Sequence, residues 1–187
     1  MWLYFDLYLG YNLFLGRYST ITIIAENEFD PINVSPRYKD LNNMVGIFKP
    51  ALRFDQGLDF GDIYVEGCVP ITYMQFYKEA DTEFGLDITA GLDSNFGLGL
   101  KVKAYSMLKP SDGYQGLDVT VSYETGPLYC ELLAEIPKDL EYGVALIPEL
   151  RFSFGNFKVY GNCRFDGVGA DDGEIMISPA IGVKFSF

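Results

Sequence analysis

The chain has 187 residues, enough for one domain or two very small ones. It carries 26 Asp and Glu against 14 Lys and Arg, for a net charge of −12, and 16% of its residues are aromatic. This excludes a disordered chain, which is poor in aromatics, and an ordinary nucleic-acid binder, which needs a basic stripe to neutralise phosphates. The chain has no His, which removes every mechanism that needs an imidazole base and every His-ligated zinc or haem site.

The three cysteines, Cys68, Cys130 and Cys163, are widely spaced and form no C-x-x-C pair, so neither a redox motif nor a thiolate zinc site is expected. At most one disulfide could form, leaving a free thiol, which suits a reducing setting or export from an anaerobe. Met1–Asp6 lacks a basic region and a small-residue cleavage site, and reads as strand rather than as a targeting peptide. The longest uncharged stretch runs only from Gly67 to Tyr77, short of the roughly 18–20 residues of a spanning helix. A spanning strand needs far fewer.

Taken in chain order, the elements are strands with a period of two. Leu3, Phe5, Leu7, Leu9, Tyr11, Leu13 and Leu15 alternate with Tyr4, Asp6, Tyr8, Gly10 and Asn12. Phe84, Leu86, Ile88, Ala90 and Leu92 alternate with Asp87, Thr89 and Asp93, and Phe96 to Ala104 repeats the pattern around Lys101 and Lys103. Leu117, Val119, Val121 and Tyr123 then oppose Asp118, Thr120 and Ser122. Tyr142 to Phe152 face away from Glu149 and Arg151, and Phe157, Val159 and Phe165 away from Lys158, Tyr160, Asn162 and Arg164. The last run sets Ile175, Ile177, Ile181, Val183, Phe185 and Phe187 against Ser178, Gly182, Lys184 and Ser186.

Tight turn signals at Asp93–Asn95, Glu124–Pro127 and Phe154–Asn156 alternate with longer polar connections, among them 27–43, 78–83, 108–114, 137–141 and 166–174. The count is about eleven antiparallel strands of roughly 10 to 14 residues, long against the roughly 5–6 of soluble sheets. No helical segment stands out.

Alternation does not say which face is inside. A soluble barrel points its apolar side chains inward; a transmembrane barrel points them at lipid. Three features favour the second. The polar face is rich in Gly, Ser, Thr and charges of both signs. Aromatics gather at strand ends on the apolar face: Phe54, Phe96, Phe154, Phe157, Phe185 and Phe187 by tight turns, and Tyr73, Phe84, Tyr142 and Phe165 by long connections. Short turns alternate with long loops, as periplasmic turns alternate with extracellular loops. The alternative is a soluble lipocalin-like barrel around an apolar ligand.

At the C-terminus, Ala180-Ile181-Gly182-Val183-Lys184-Phe185-Ser186-Phe187 resembles the closing-strand signal of Gram-negative outer-membrane β-barrels. That signal ends in an aromatic residue, with another two before and a Gly five before; Ala180 stands where the family places a polar residue. The resemblance implies an all-β transmembrane up-and-down antiparallel barrel, a single domain over 1–187, in the bacterial outer membrane. It also implies that Gly182, Phe185 and Phe187 are read by the barrel-assembly machinery. The implied partners are the lipid bilayer and that machinery, with another envelope protein as a further partner and no nucleic acid. Bacterial single-chain barrels have even strand numbers, so eleven is out of step: twelve strands are expected, with ten as the alternative. A hidden strand over 29–40, a different division of 2–26, or a missing upstream strand would restore parity.

Catalytic members of this broad class use His. With none here, and no Ser or carboxylate pair in a catalytic motif, no enzymatic activity and no cofactor are expected. The remaining candidate is a ladder of inward charges: Asp87, Lys101, Lys103, Asp118, Glu131, Glu149, Arg151, Lys158 and Arg164, with Glu135 beside them. A three-residue turn at Asp93–Asn95 would set Asp87 directly opposite Lys101. Such a ladder either lines a channel for ions or small polar solutes, or pairs off and plugs a narrow lumen with help from inward tyrosines. The Asp166–Glu174 loop is rich in oxygens but lacks EF-hand spacing, so no metal site is expected. Cys130 and Cys163 fall on the apolar face, where each serves as a small hydrophobe.

Overall fold

The structure is a computed structural model, and it describes residues 5–30, 45–75, 83–107, 115–171 and 173–185. The described residues form strands β1 (Phe5–Phe14), β2 (Ser19–Asp30), β3 (Val45–Leu58), β4 (Gly61–Cys68), β5 (Ile71–Gln75) and β6 (Glu83–Ser94). The series continues with β7 (Leu98–Met107), β8 (Gln115–Thr125), β9 (Leu128–Pro137), β10 (Val144–Phe154), β11 (Phe157–Val168) and β12 (Met176–Phe185). The only helix among them is a single 3-10 turn, Leu140–Tyr142, and no helix is long and apolar enough to cross a membrane.

All the strands belong to one sheet in the order β1-β2-β3-β4-β6-β7-β8-β9-β10-β11-β12, with β5 beside β3 and β6. Since β4 and β5 share both neighbours, they are one strand position cut in two. The cut falls at Val69–Pro70. Proline has no N–H to give to the ladder, and Pro70, fully buried, contributes only its carbonyl, which accepts from Gly85 N–H at 2.8 Å. Twelve strand segments therefore occupy eleven positions, and the expected twelfth strand is a division rather than an addition. Phe29 and Asp30 belong to β2; the rest of the stretch suspected of hiding a strand lies outside the described residues. Among the described residues β1 and β12 are the two ends of the path, so the sheet is antiparallel but open.

The chain divides into two compact units. One comprises Met1–Leu58, Ile63–Ala90 and Ala104–Gln115; the other comprises Asp59–Asp62, Gly91–Lys103 and Gly116–Phe187. Registers in the first are regular: β1 and β2 pair from Phe5↔Phe29 to Phe14↔Thr20, and β2 and β3 from Ser19↔Gln56 to Asp30↔Val45. In the second, β8 to β12 form a meander, with one bulge between Val144 and Leu146 where β10 meets β11.

The polarity of the faces is the reverse of a water-soluble sheet. In β6, Asp87 is 3% exposed and Thr89 9%, while Leu86 and Ile88 between them are 41% and 50% exposed. Thr120 is buried and Val121 exposed in β8; Arg53 is shielded between exposed Leu52 and Phe54 in β3; and Leu150, Phe152 and Phe154 stand out around Glu149 and Arg151 in β10. Buried apolar residues are few and scattered: Ile24, Ile47, Cys68, Tyr105 and Ala145. The alternation read from the sequence is thus present, with its polar side as the sheltered one.

Candidate functional site

In the first unit the sheltered face is built in cross-strand rows. Tyr8, Glu26 and Lys49 share one row, and Asn12, Thr22 and Arg53 another. Lys49 Nζ lies 4.0 Å from Glu26 Oε1, and Thr22 Oγ1–H donates to Asn12 Oδ1 at 3.0 Å. Arg53 reaches two residues along its own strand, its Nε and Nη2 at 2.8 and 2.7 Å from Asp55 Oδ1, while its Cζ sits 3.8 Å from the centroid of Tyr64. A guanidinium held this way spends its charge on a neighbour and its flat face on an aromatic ring.

The second unit repeats the device. Its strands bring Glu124, Tyr129, Arg151, Tyr160 and Gly182 into one transverse row, and Ser122, Glu131, Glu149, Asn162 and Ala180 into the next. Glu131 and Glu149 face each other directly, an arrangement that costs stability unless neutralised. Both are answered: Arg151 Nη2 contacts Glu149 Oε1 at 2.6 Å, and the Tyr129 hydroxyl donates to Glu131 Oε2. Arg151 also lies over the Tyr129 ring, 4.7 Å from its centroid.

Further along, Asp118 faces Glu135 in register, and Arg164 supplies the counter-charge from β11. Its Nη2 is 2.7 Å from Glu135 Oε2, across β10 at the small, buried Ala145, and its Nε is 2.8 and 2.9 Å from the two oxygens of Asp166. Replacing Arg164 with Met would leave three carboxylates without their shared cation. We expect a loss of about 1–3 kcal/mol in reversible unfolding, against less than about 0.5 kcal/mol for Ser178→Ala on the exposed neighbouring position.

The ladder expected from the sequence is present in kind but not in every pairing. The β6–β7 turn is closed by Gly97 N–H to Ser94 O at 3.0 Å, with Gly97 at φ +90°, a conformation that favours glycine. The loop is therefore Asn95–Gly97, two residues later than expected, and counting back from it puts Tyr105, not Lys101, across from Asp87. Both Asp87 and Tyr105 are buried, whereas Lys101 is exposed. On the other side of β7, Glu124 N–H donates to Gly97 O at 2.9 Å. That contact sets Lys103 at the level of Asp118 and Lys101 at the level of Thr120. Lys158 lies on the sheltered face of β11 with Tyr160 and Arg164.

Of the C-terminal signal, Phe187 lies outside the described residues, and Phe185 is the last residue of β12, paired with Phe157. Gly182 has a local role that the sequence did not reveal. It faces Tyr160, whose ring lies over it so closely that a Cβ at 182 would stand 2.7 Å from Cε2 and nearer still to Cζ and Oη.

The aromatic bands are richer than expected. Phe54, Phe96, Phe154, Phe157, Phe84 and Tyr142 are exposed, and Phe14, Tyr18 and Phe60 join them beside tight turns. These three were missed because the turns at 15–18 and 59–60 carry weak signals. Phe165 is only half-exposed. In the acidic loop, Asp166 is committed to Arg164, and among the described residues no group of three or more acidic or Cys side chains gathers as a metal site would require. The cysteines are free thiols, Cys68 buried and the other two half-buried.

In comparisons with known proteins, no family model matches the chain and no curated protein matches its sequence.

Proposed function

We propose that the chain forms a small transmembrane β-barrel of a bacterial outer membrane, a porin-like channel for ions or small polar solutes. The observation that carries this reading is the reversed polarity of the sheet, clearest in β6, where Asp87 and Thr89 are buried while Leu86 and Ile88 stand out. In water such an arrangement gives up the hydrophobic stabilisation of roughly 25 cal/mol per Å² that burying the aliphatic face would bring; in a bilayer it is the favourable one. The lipocalin-like alternative would bury Leu86 and Ile88 instead. Strand lengths of 10 to 12 residues over most of the sheet suit the roughly 9–11 needed to cross a membrane at a tilt.

Closure into a barrel, and insertion through Gly182, Phe185 and Phe187, are part of the proposal. Side chains just fill an eight-stranded barrel, and roughly 16–18 strands leave a wide aqueous channel. Eleven or twelve strands fall between, which favours a narrow lumen lined by the charge rows. A second reading, a plugged barrel that serves a structural or partner-binding role, is favoured by one observation: Arg53, Arg151 and Arg164 are all engaged with carboxylates.

The protein should need detergent to stay monodisperse and should migrate differently on gels before and after heating. Solubility as a monodisperse species in plain buffer would overturn the membrane reading. In planar bilayers a channel gives discrete conductance steps, and a correctly folded protein with no conductance at any voltage would favour the plug.

A further inference from the structure

We propose that Lys158 and Lys184 form a binding site for a small soluble oxyanion, phosphate being the simplest, at the tight-turn end of the polar face. The two residues are direct register partners on β11 and β12, next along from the Tyr160↔Gly182 pair. Like charges set directly opposite are destabilising, and elsewhere on this face every such clash is answered by a group of opposite charge or a hydroxyl. Glu131 and Glu149 have Tyr129 and Arg151, and Asp118 and Glu135 have Arg164.

The lysine pair breaks this rule. Lys158 is half-buried and makes no ion pair or hydrogen bond among the described residues. The position across from it on the other side is Ser153 on β10, and beyond that the Ser153 amide donates to Pro127 O at 2.8 Å. No carboxylate stands in that row. The nearest acid along the face, Glu149, already holds Arg151. In a chain of net charge −12, two lysines placed opposite each other with a hydroxyl-bearing residue beside them and no acid in the row have the composition of an anion site. Two ammonium groups and a hydroxyl offer donors to an oxyanion, and such charge-assisted hydrogen bonds are among the stronger ones. An anion there would also remove the repulsion between the lysines.

The inference goes beyond the channel reading and does not depend on it, because binding can be measured on the folded full-length chain without a bilayer. The probe is inorganic phosphate, titrated at constant ionic strength against chloride, with thermal unfolding and calorimetry as readouts. We expect phosphate to raise the unfolding midpoint of the native protein, and either Lys158→Gln or Lys184→Gln to weaken its affinity at least about tenfold. Lys158→Glu keeps the variant foldable by setting opposite charges across the pair. It should unfold no earlier than the native protein in chloride and show no response to phosphate, while Lys158→Arg should retain the response. A folded native protein that ignores phosphate, or a Lys158→Glu variant that binds it as tightly as native, overturns the proposal. So does a response to anionic lipid in micelles without one to phosphate.

Discussion

Replacing Ile88 with Arg should lower the stability of the bilayer-inserted protein by about 2–4 kcal/mol, the penalty for a cation on the lipid face near the middle of a membrane strand. Ile88 lies at the centre of β6 and is half exposed. If that exposure were to water, the same change would cost within about 0.5 kcal/mol, as for most surface positions. The position is therefore a gauge of what surrounds the sheet. Leu98→Arg, next to the β6–β7 turn on the same face, should cost only about 0–1 kcal/mol, because the penalty fades towards the interface. Denaturant unfolding in lipid vesicles, comparing the two variants, measures the gradient. Equal and small effects at both positions would remove lipid from the apolar face.

The gauge works because the sequence already tells which residues share a face. A period of two is fixed by the pleat, so Leu86, Ile88 and their neighbours could be assigned together without knowing any contact. Which face is sheltered was argued from the aromatics and the alternation of turn lengths, and the exposures of Leu86 and Asp87 lie in that direction. What depends on exact register was less legible. A turn displaced by two residues moves the residue opposite Asp87 from Lys101 to Tyr105, because an antiparallel register shifts by twice the displacement of its loop. Asp93, Ser94 and Asn95 are all good turn formers, and only the hydrogen bond from Gly97 to Ser94 decides among them. The cut between β4 and β5 was legible in principle, since Pro70 forbids a ladder bond there, but the uncharged run from Gly67 to Tyr77 gave it no visible boundary. The reach of Arg164 over Ala145 to Glu135 joins strands that are not neighbours. No pattern along one strand encodes that.

Gly182→Val is the second change with a large expected effect. In the resemblance to outer-membrane barrels, Gly182 belongs to a recognition signal, and on that view alone its replacement would slow assembly in cells but leave the refolded protein intact. The geometry gives it a second duty: the Tyr160 ring occupies the space a side chain would take, covering glycine backbone in the manner of aromatic rescue in sheets. A Val side chain must push that ring aside, and Tyr160 has Arg151 as its other row neighbour. Overpacking of this kind costs about 1–3 kcal/mol, and here it acts on β12, whose only partner among the described residues is β11. Unfolding of the purified protein in detergent should show this loss with no assembly machinery present. Tyr160→Ala alone should also destabilise, by uncovering Gly182 and removing a neighbour of Arg151. In the double variant Gly182→Val with Tyr160→Ala the valine occupies the vacated space, so the two losses should fall short of their sum by about 1 kcal/mol or more, the coupling expected of residues in contact. Additive losses would separate Gly182 from Tyr160 and leave the glycine with the assembly signal alone.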